Sequence, residues 1–217
     1  MLFTEKKAVI FDLDGTLLNT LTDLKNSLNE ALRLHGLPQR TTDEVRRFVG
    51  NGIATLVQRA IPDGRENPKY DAVLQDIRTI YAKHSLDTTA PYDGIPDMLH
   101  VLHQKGYLLA VVSNKPDAQV KSLCKNFFGD SIAAAVGQQE GVPLKPAPDP
   151  LFAAMRMLGA SKKETVYVGD SDVDILTARN AGLPCISVLW GFRDQALLEA
   201  CGAQIFAHAP AEMAQMF

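Results

Sequence analysis

Two aspartates two residues apart close the first apolar run of the chain, in Phe11-Asp12-Leu13-Asp14-Gly15-Thr16. A buried strand does not take up charge without a use for it, and a period of two lets Asp12 and Asp14 project from the same side. Gly15 then allows a sharp turn and a close approach of backbone to a ligand. An Asp pair before a glycine is also an ordinary turn signal, so this segment alone leaves both readings open. Other segments weigh against a plain turn. A second apolar run ends in Ser113-Asn114-Lys115, offering a hydroxyl and an amide. A third ends in Gly169-Asp170-Ser171-Asp172-Val173-Asp174, a dense carboxylate cluster, and Lys145-Pro146 lies between them in a proline-rich loop. Carboxylates, a lysine and hydroxyl donors brought to one place suit a hard cation together with a phosphate.

The elements that must position these groups follow from hydrophobic pattern. Residues 8–11, 108–112, 165–168 and 185–189 read as short buried strands, with 132–136 a weaker fifth. Helical patterns separate most of them, which predicts an α/β fold with a mainly parallel, Rossmann-like sheet. In open parallel sheets, ligands bind beyond the carboxyl ends of the strands, where these polar groups fall. A helix is expected from near Asp117, and another after Pro148, with Asp149 as N-cap and Pro150 as first helical residue. Ser161 and Glu164 have capping-box spacing.

Residues 17–91 read as helical throughout. Leu21, Leu24, Leu28, Ala31 and Leu32 form one face, stopped by Gly36 and Pro38. Further helices are expected from Thr42, around Ile53–Ala60, and around Val73, Ile77 and Tyr81. The division expected is an α/β core of residues 1–16 and 92–217 with a helical insert of residues 17–91, hinged near 16–21 and 91–94.

Composition bounds the rest. The chain has 217 residues, 46% of them hydrophobic, and a net charge of -3. That size supports a real core, and nothing in the charge suits nucleic acid or anionic lipid. No apolar stretch approaches the roughly 20 residues that span a bilayer. Cys124, Cys185 and Cys201 are widely spaced, which suggests buried thiols in a reducing, cytoplasmic setting. His100 and His103 share a helix face without a further ligand nearby and read as solvent-facing. Gly50-Asn51-Gly52 only approximates a dinucleotide fingerprint, because Thr55 fills the last glycine position. No Walker A, H-E-x-x-H or G-x-S-x-G pattern occurs, which argues against P-loop, zincin and serine-hydrolase chemistry.

The chain resembles the haloacid dehalogenase-like phosphatase superfamily over its whole length. Asp12-Leu13-Asp14-Gly15-Thr16 corresponds to the first motif, Ser113 to the second, Lys145 to the third, and Gly169-Asp170 with Asp174 to the fourth. Within that superfamily it is most similar to phosphoglycolate phosphatases, through Val49-Gly50-Asn51-Gly52, Lys145-Pro146-Ala147-Pro148-Asp149-Pro150, Ala178-Arg179-Asn180-Ala181-Gly182 and Trp190-Gly191-Phe192. The resemblance implies that the helical insert is a cap and that Mg²⁺ is the cofactor, held by Asp12, Asp170 and the backbone carbonyl of Asp14. It implies Asp12 as nucleophile forming an aspartyl-phosphate, and Asp14 as general acid and base. Ser113, Asn114 and Lys145 would hold phosphate, Asp174 would fix the metal site or Lys145, and Gly50, Asn51 and Gly52 would select substrate. The expected partner is a small phosphorylated metabolite, with no nucleic acid or membrane, for a monomer or homodimer. A β-phosphoglucomutase-type sugar-phosphate mutase and an inorganic pyrophosphatase are the alternatives that share these motifs.

Overall fold

The computed structural model describes residues 2–217. The chain divides into two compact units, Met1–Leu18 with Pro91–Phe217, and Asn19–Ala90. Two-residue strands, β2 (Leu18–Asn19) and β3 (Ala90–Pro91), mark the two crossings between them.

The larger unit is built on a six-stranded sheet in the order β5-β4-β1-β6-β7-β8, with every neighbouring pair parallel. Its strands are β1 (Ala8–Phe11), β4 (Leu108–Pro116), β5 (Ala134–Gln138), β6 (Thr165–Gly169), β7 (Cys185–Val188) and β8 (Phe206–Ala207). The apolar runs are continuous because both faces of the sheet are covered. Val9, Phe11, Leu109, Val111, Val166 and Val168 point to one side. There they meet Leu99 and Leu102 of α5 (Ile95–Gln104), Val120 and Leu123 of α6 (Asp117–Phe128), and Met213 of α10 (Pro210–Gln215). Ala8, Ile10, Ala110, Val112 and Tyr167 point to the other. They pack on Leu151 and Ala154 of α7 (Asp149–Leu158) and Ala178 and Ala181 of α8 (Asp172–Ala181). A further short helix, α9 (Gln195–Ala200), follows β7 and is capped by the Asp194 side chain. Each fully buried aliphatic side chain here contributes about 1.5–3 kcal/mol, and that burial must offset the cost of gathering carboxylates at one edge.

The smaller unit consists of α1 (Leu21–Leu34), α2 (Thr42–Phe48), α3 (Ile53–Ala60) and α4 (Tyr70–His84). Leu28, Leu32, Val45, Leu56, Val57, Val73, Ile77 and Tyr81 are among its buried apolar side chains. α2 opens with a reciprocal capping box, in which Thr41 accepts from the Glu44 amide and Glu44 accepts from the Thr41 amide. Asp23 of α1 accepts hydrogen bonds from both the amide and the hydroxyl of Thr88 and of Thr89, closing the far end of the unit onto its first helix.

Several expectations need adjustment. β4 runs on through Ser113, Asn114 and Lys115 to Pro116, because the backbone ladder continues where the side chains turn polar. Pro148, not Asp149, is the N-cap of α7, so Asp149 is its first residue and Pro150 lies in its first turn. Only Cys124 is buried; Cys185 and Cys201 are half-buried. His100 and His103 are exposed, as their spacing suggested.

Candidate active site

The carboxyl ends of β1, β4 and β6 bring the polar residues together. Asp12 directly follows β1 and its amide donates to Val168 O, which locks it onto β6. Asp12, Asp170 and Asp174 each offer a carboxylate oxygen within 4.8 Å of the others, and all three are buried. Lys145 projects into this group with a side chain only 3% exposed. Its Nζ donates to Asp12 Oδ1 at 2.6 Å, to Asp174 Oδ1 at 2.8 Å and to the Tyr167 hydroxyl at 2.9 Å.

Each member is held from behind. Asn114 spends both ends of its amide on the backbone of Lys145: Nδ2 donates to Lys145 O at 3.0 Å, and Oδ1 accepts from Lys145 N at 2.8 Å. Asp174 also receives the Tyr167 hydroxyl on Oδ1, and the amide and hydroxyl of Ser171 on Oδ2. Its oxygens are thereby committed to protein donors, and it acts on its neighbours through Lys145. Asp170 is less committed. The Thr16 hydroxyl donates to Oδ1 at 3.1 Å and the Phe192 amide to Oδ2 at 2.8 Å. The backbone is drawn tightly around it: a Cβ on Gly191 would lie 2.5 Å from Gly15 O and would overlap Asp170. Gly15 itself turns with φ of +95°, a conformation that favours glycine, and its missing side chain makes room for the Asp170 carboxylate. Trp190 ties the same two segments together by donating from Nε1 to Thr16 O at 2.9 Å.

Electrostatics mark the cluster as short of positive charge. Burial is the largest influence on Asp12 and raises its pKa; Lys145 opposes this, Asp174 and Asp170 reinforce it, and the net direction is upward. Burial, then Asp174, pushes Asp170 up to about 7 against the Phe192 amide, Arg193 and Thr16. For Asp174, burial is outweighed by Lys145 and the hydrogen bonds, which hold the carboxyl below its ordinary value. Burial works against charge on Lys145 as well, but Asp12 and Asp174 outweigh it and keep the amine protonated. A second pair lies beside the first, with Lys115 Nζ 2.8 Å from Asp14 Oδ1. Four aspartates thus face two lysines. The donor set is all oxygen, two of its carboxylates resist ionisation as the site stands, and the deficit is about two charges. A hard divalent cation fits that description.

Ser113 lies at the same edge, buried, with its Oγ accepting from the Lys115 amide at 3.2 Å. Gly50, Asn51 and Gly52 belong to the helical unit, between α2 and α3, where Arg59 donates to Asn51 Oδ1 at 3.1 Å. Sequence motifs gave Lys115 and Tyr167 no role and placed Thr16 and Gly191 only as members of longer segments. Lys115 carried a usable signal, a charge at the end of an apolar strand; Tyr167 carried none, since a tyrosine inside a strand reads as core.

The pattern of the haloacid dehalogenase-like hydrolases matches residues 9–188. Among curated proteins, a phosphoglycolate phosphatase of Chromobacterium violaceum is 35% identical over 213 residues, 95% of this chain and 94% of that protein. One of Pasteurella multocida is 34% identical over 197 residues, covering 87% and 88% respectively. A crystal structure from Lactobacillus delbrueckii subsp. bulgaricus, of a candidate phosphoglycolate phosphatase, superposes with a TM-score of 0.94 at 34% identity, covering 99% of this chain and 98% of its own. The strand-end carboxylates, the family pattern and these full-length likenesses agree, and the chain belongs to the haloacid dehalogenase-like hydrolases.

Proposed function

We propose that this hydrolase is a Mg²⁺-dependent phosphatase of small phosphate monoesters, acting through an aspartyl-phosphate on Asp12, with 2-phosphoglycolate as its substrate. The observation that carries the reading is the buried carboxylate group of Asp12, Asp170 and Asp174 with Lys145 Nζ fixed 2.6 Å from Asp12 Oδ1. The names of the similar proteins support the choice of substrate.

Asp12, Asp170 and the backbone carbonyl of Asp14 would hold the cation. When bound, it neutralises the repulsion between a carboxylate and a phosphate dianion. The remaining work belongs to the chain. Lys145 keeps Asp12 in one orientation and presents positive charge to the phosphoryl oxygens, with the Ser113 hydroxyl as a further donor. Asn114 fixes the Lys145 backbone and so the height of its ammonium group. An Asp12 oxygen bonds to phosphorus as the bond to the leaving oxygen breaks, and Asp14 gives that oxygen its proton. Water then attacks phosphorus and passes its proton to Asp14, and the bond to Asp12 breaks to release phosphate. The helical unit serves as a cap, with Gly50, Asn51 and Gly52 among its selecting residues.

A panel of phosphate esters, with released phosphate as the readout and EDTA as control, tests this reading. It should include 2-phosphoglycolate, pyrophosphate and glucose 1-phosphate, the last followed for glucose 6-phosphate. Release from 2-phosphoglycolate that stops in EDTA is expected. Full turnover without divalent metal, or conversion of glucose 1-phosphate in place of release, would contradict it.

A further inference from the structure

The two aspartates after β1 each have their own buried lysine. Lys145 serves Asp12, and Lys115 serves Asp14 across 2.8 Å. The Lys115 side chain is 4% exposed while that of Asp14 is 21% exposed. Stripping a lysine of water to meet a carboxylate that keeps some of its own is costly, so the arrangement calls for a reason beyond stability.

The backbone around Lys115 is shaped to deliver it. β4 pairs regularly with β5 up to Val112 and again at Pro116, with a register shift between. Such irregularities re-aim side chains next to active sites. Gly137 of β5 makes the approach possible, because a Cβ there would lie 2.7 Å from Lys115 O and 2.5 Å from the Asp117 Cα. The Asp117 carboxylate then accepts from the Gly137 amide at 2.9 Å and fixes the strand against the turn. The Cys124 thiol of α6 is buried, and burial first and the Asp14 charge second push its pKa up to about 12.

We propose that Lys115 is a positioning residue for the acid–base step: its ammonium group holds Oδ1 of Asp14, so that Oδ2 is the oxygen presented to the leaving group and then to water. This rests on the phosphatase reading above. It concerns the orientation of Asp14, not its charge state. Misplacing a catalytic group by about 1 Å can cost on the order of 10²-fold in rate.

Steady-state kinetics of Lys115→Met, Asp14→Asn and the double variant test the proposal on 2-phosphoglycolate and on p-nitrophenyl phosphate. An alkoxide needs a proton to leave and nitrophenolate does not. Lys115→Met should lower kcat/KM, which reports the steps through leaving-group departure, by about 10²-fold on 2-phosphoglycolate and much less on p-nitrophenyl phosphate, while kcat falls on both esters as hydrolysis of the aspartyl-phosphate slows. The double variant should be no slower than Asp14→Asn, because Lys115 has nothing left to position. Losses that multiply, or a raised KM with kcat retained, would assign Lys115 to the substrate and overturn the proposal. If Lys115→Met does not fold, Lys115→Arg carries the test, and an equal loss of kcat/KM on both esters refutes it. A crystal structure of whichever variant folds gives a readout without turnover: Asp14 should leave its present orientation, and an unmoved carboxylate overturns the idea. Wild-type protein that turns over neither ester would instead refute the phosphatase reading.

Discussion

Replacing Lys145 by Met isolates the electrostatics of the site. The wild-type ammonium is 3% exposed and serves Asp12 at 2.6 Å, Asp174 at 2.8 Å and the Tyr167 hydroxyl at 2.9 Å. Methionine fills a similar volume, so the perturbation is loss of charge more than loss of packing. Breaking a buried ion pair from one side costs about 3–5 kcal/mol, a large part of a total stability of about 5–15 kcal/mol. The sign with pH can be worked out. In the wild type, Asp174 has a folded pKa below its unfolded value, through Lys145 and hydrogen bonds that outweigh burial. Its contribution is present above about pH 4 and is lost as pH falls through the folded pKa. Without Lys145, Asp12, already raised by burial, rises further, the folded pKa of Asp174 rises above about 4, and stability is lost as pH rises. The gap between wild type and variant should therefore be smaller near about pH 5 and reach about 3–5 kcal/mol near about pH 8. Urea unfolding in metal-free buffer at both pH values measures it. Adding Asp174→Asn to Lys145→Met should recover about 1–3 kcal/mol at the higher pH, since one stranded charge is removed. A gap below about 1 kcal/mol, or one that does not change with pH, would refute the reasoning.

Gly191→Ala should push its new methyl against Gly15 O and Asp170, costing about 1–3 kcal/mol in unfolding and about tenfold or more in Mg²⁺ affinity by calorimetry. Asp23→Ala should destabilise the helical unit by about 2–3 kcal/mol, because it strands the Thr88 and Thr89 donors. Burial raises the pKa of Asp23, but those hydrogen bonds outweigh it and hold the carboxyl below its ordinary value, so the loss should be full above about pH 4 and fade as acid titrates the wild-type group. Asn51→Ala should alter the ranking of substrates more than it alters turnover of p-nitrophenyl phosphate, and equal losses on every ester would make Asn51 structural.

The sheet was legible because its strands are buried on both faces and so read as unbroken apolar runs, as in Ala8–Phe11 and Thr165–Gly169. β8 was not, since Phe206–Ala207 offers two residues and no pattern. The polar end of β4 escaped for a related reason: hydropathy follows side chains, whereas the strand follows its hydrogen bonds as far as Pro116. Asp12, Asp14, Ser113 and Asp170 could be read because charged and polar residues at or just beyond strand ends stand out against apolar neighbours, whereas Lys145, in the loop before α7, and Asp174, in the first turn of α8, were read through the family motifs. What sequence does not carry is partnership. That Lys115 meets Asp14, that Tyr167 meets both Lys145 and Asp174, and that Gly191 must be bare for Asp170 to fit are facts of packing between segments far apart in the chain.

The central claim is that Asp12 becomes covalently phosphorylated. Rapid acid quench of the enzyme turning over p-nitrophenyl phosphate with Mg²⁺, followed by trypsin and mass spectrometry, tests it most directly. Asp14→Asn protein should trap the species, because the base that activates water is gone. The peptide of residues 8–25 should then carry one phosphoryl group, mapped to Asp12, and Asp12→Asn should carry none and show no turnover. A phosphoryl group on another residue, or normal turnover by Asp12→Asn, would contradict the account.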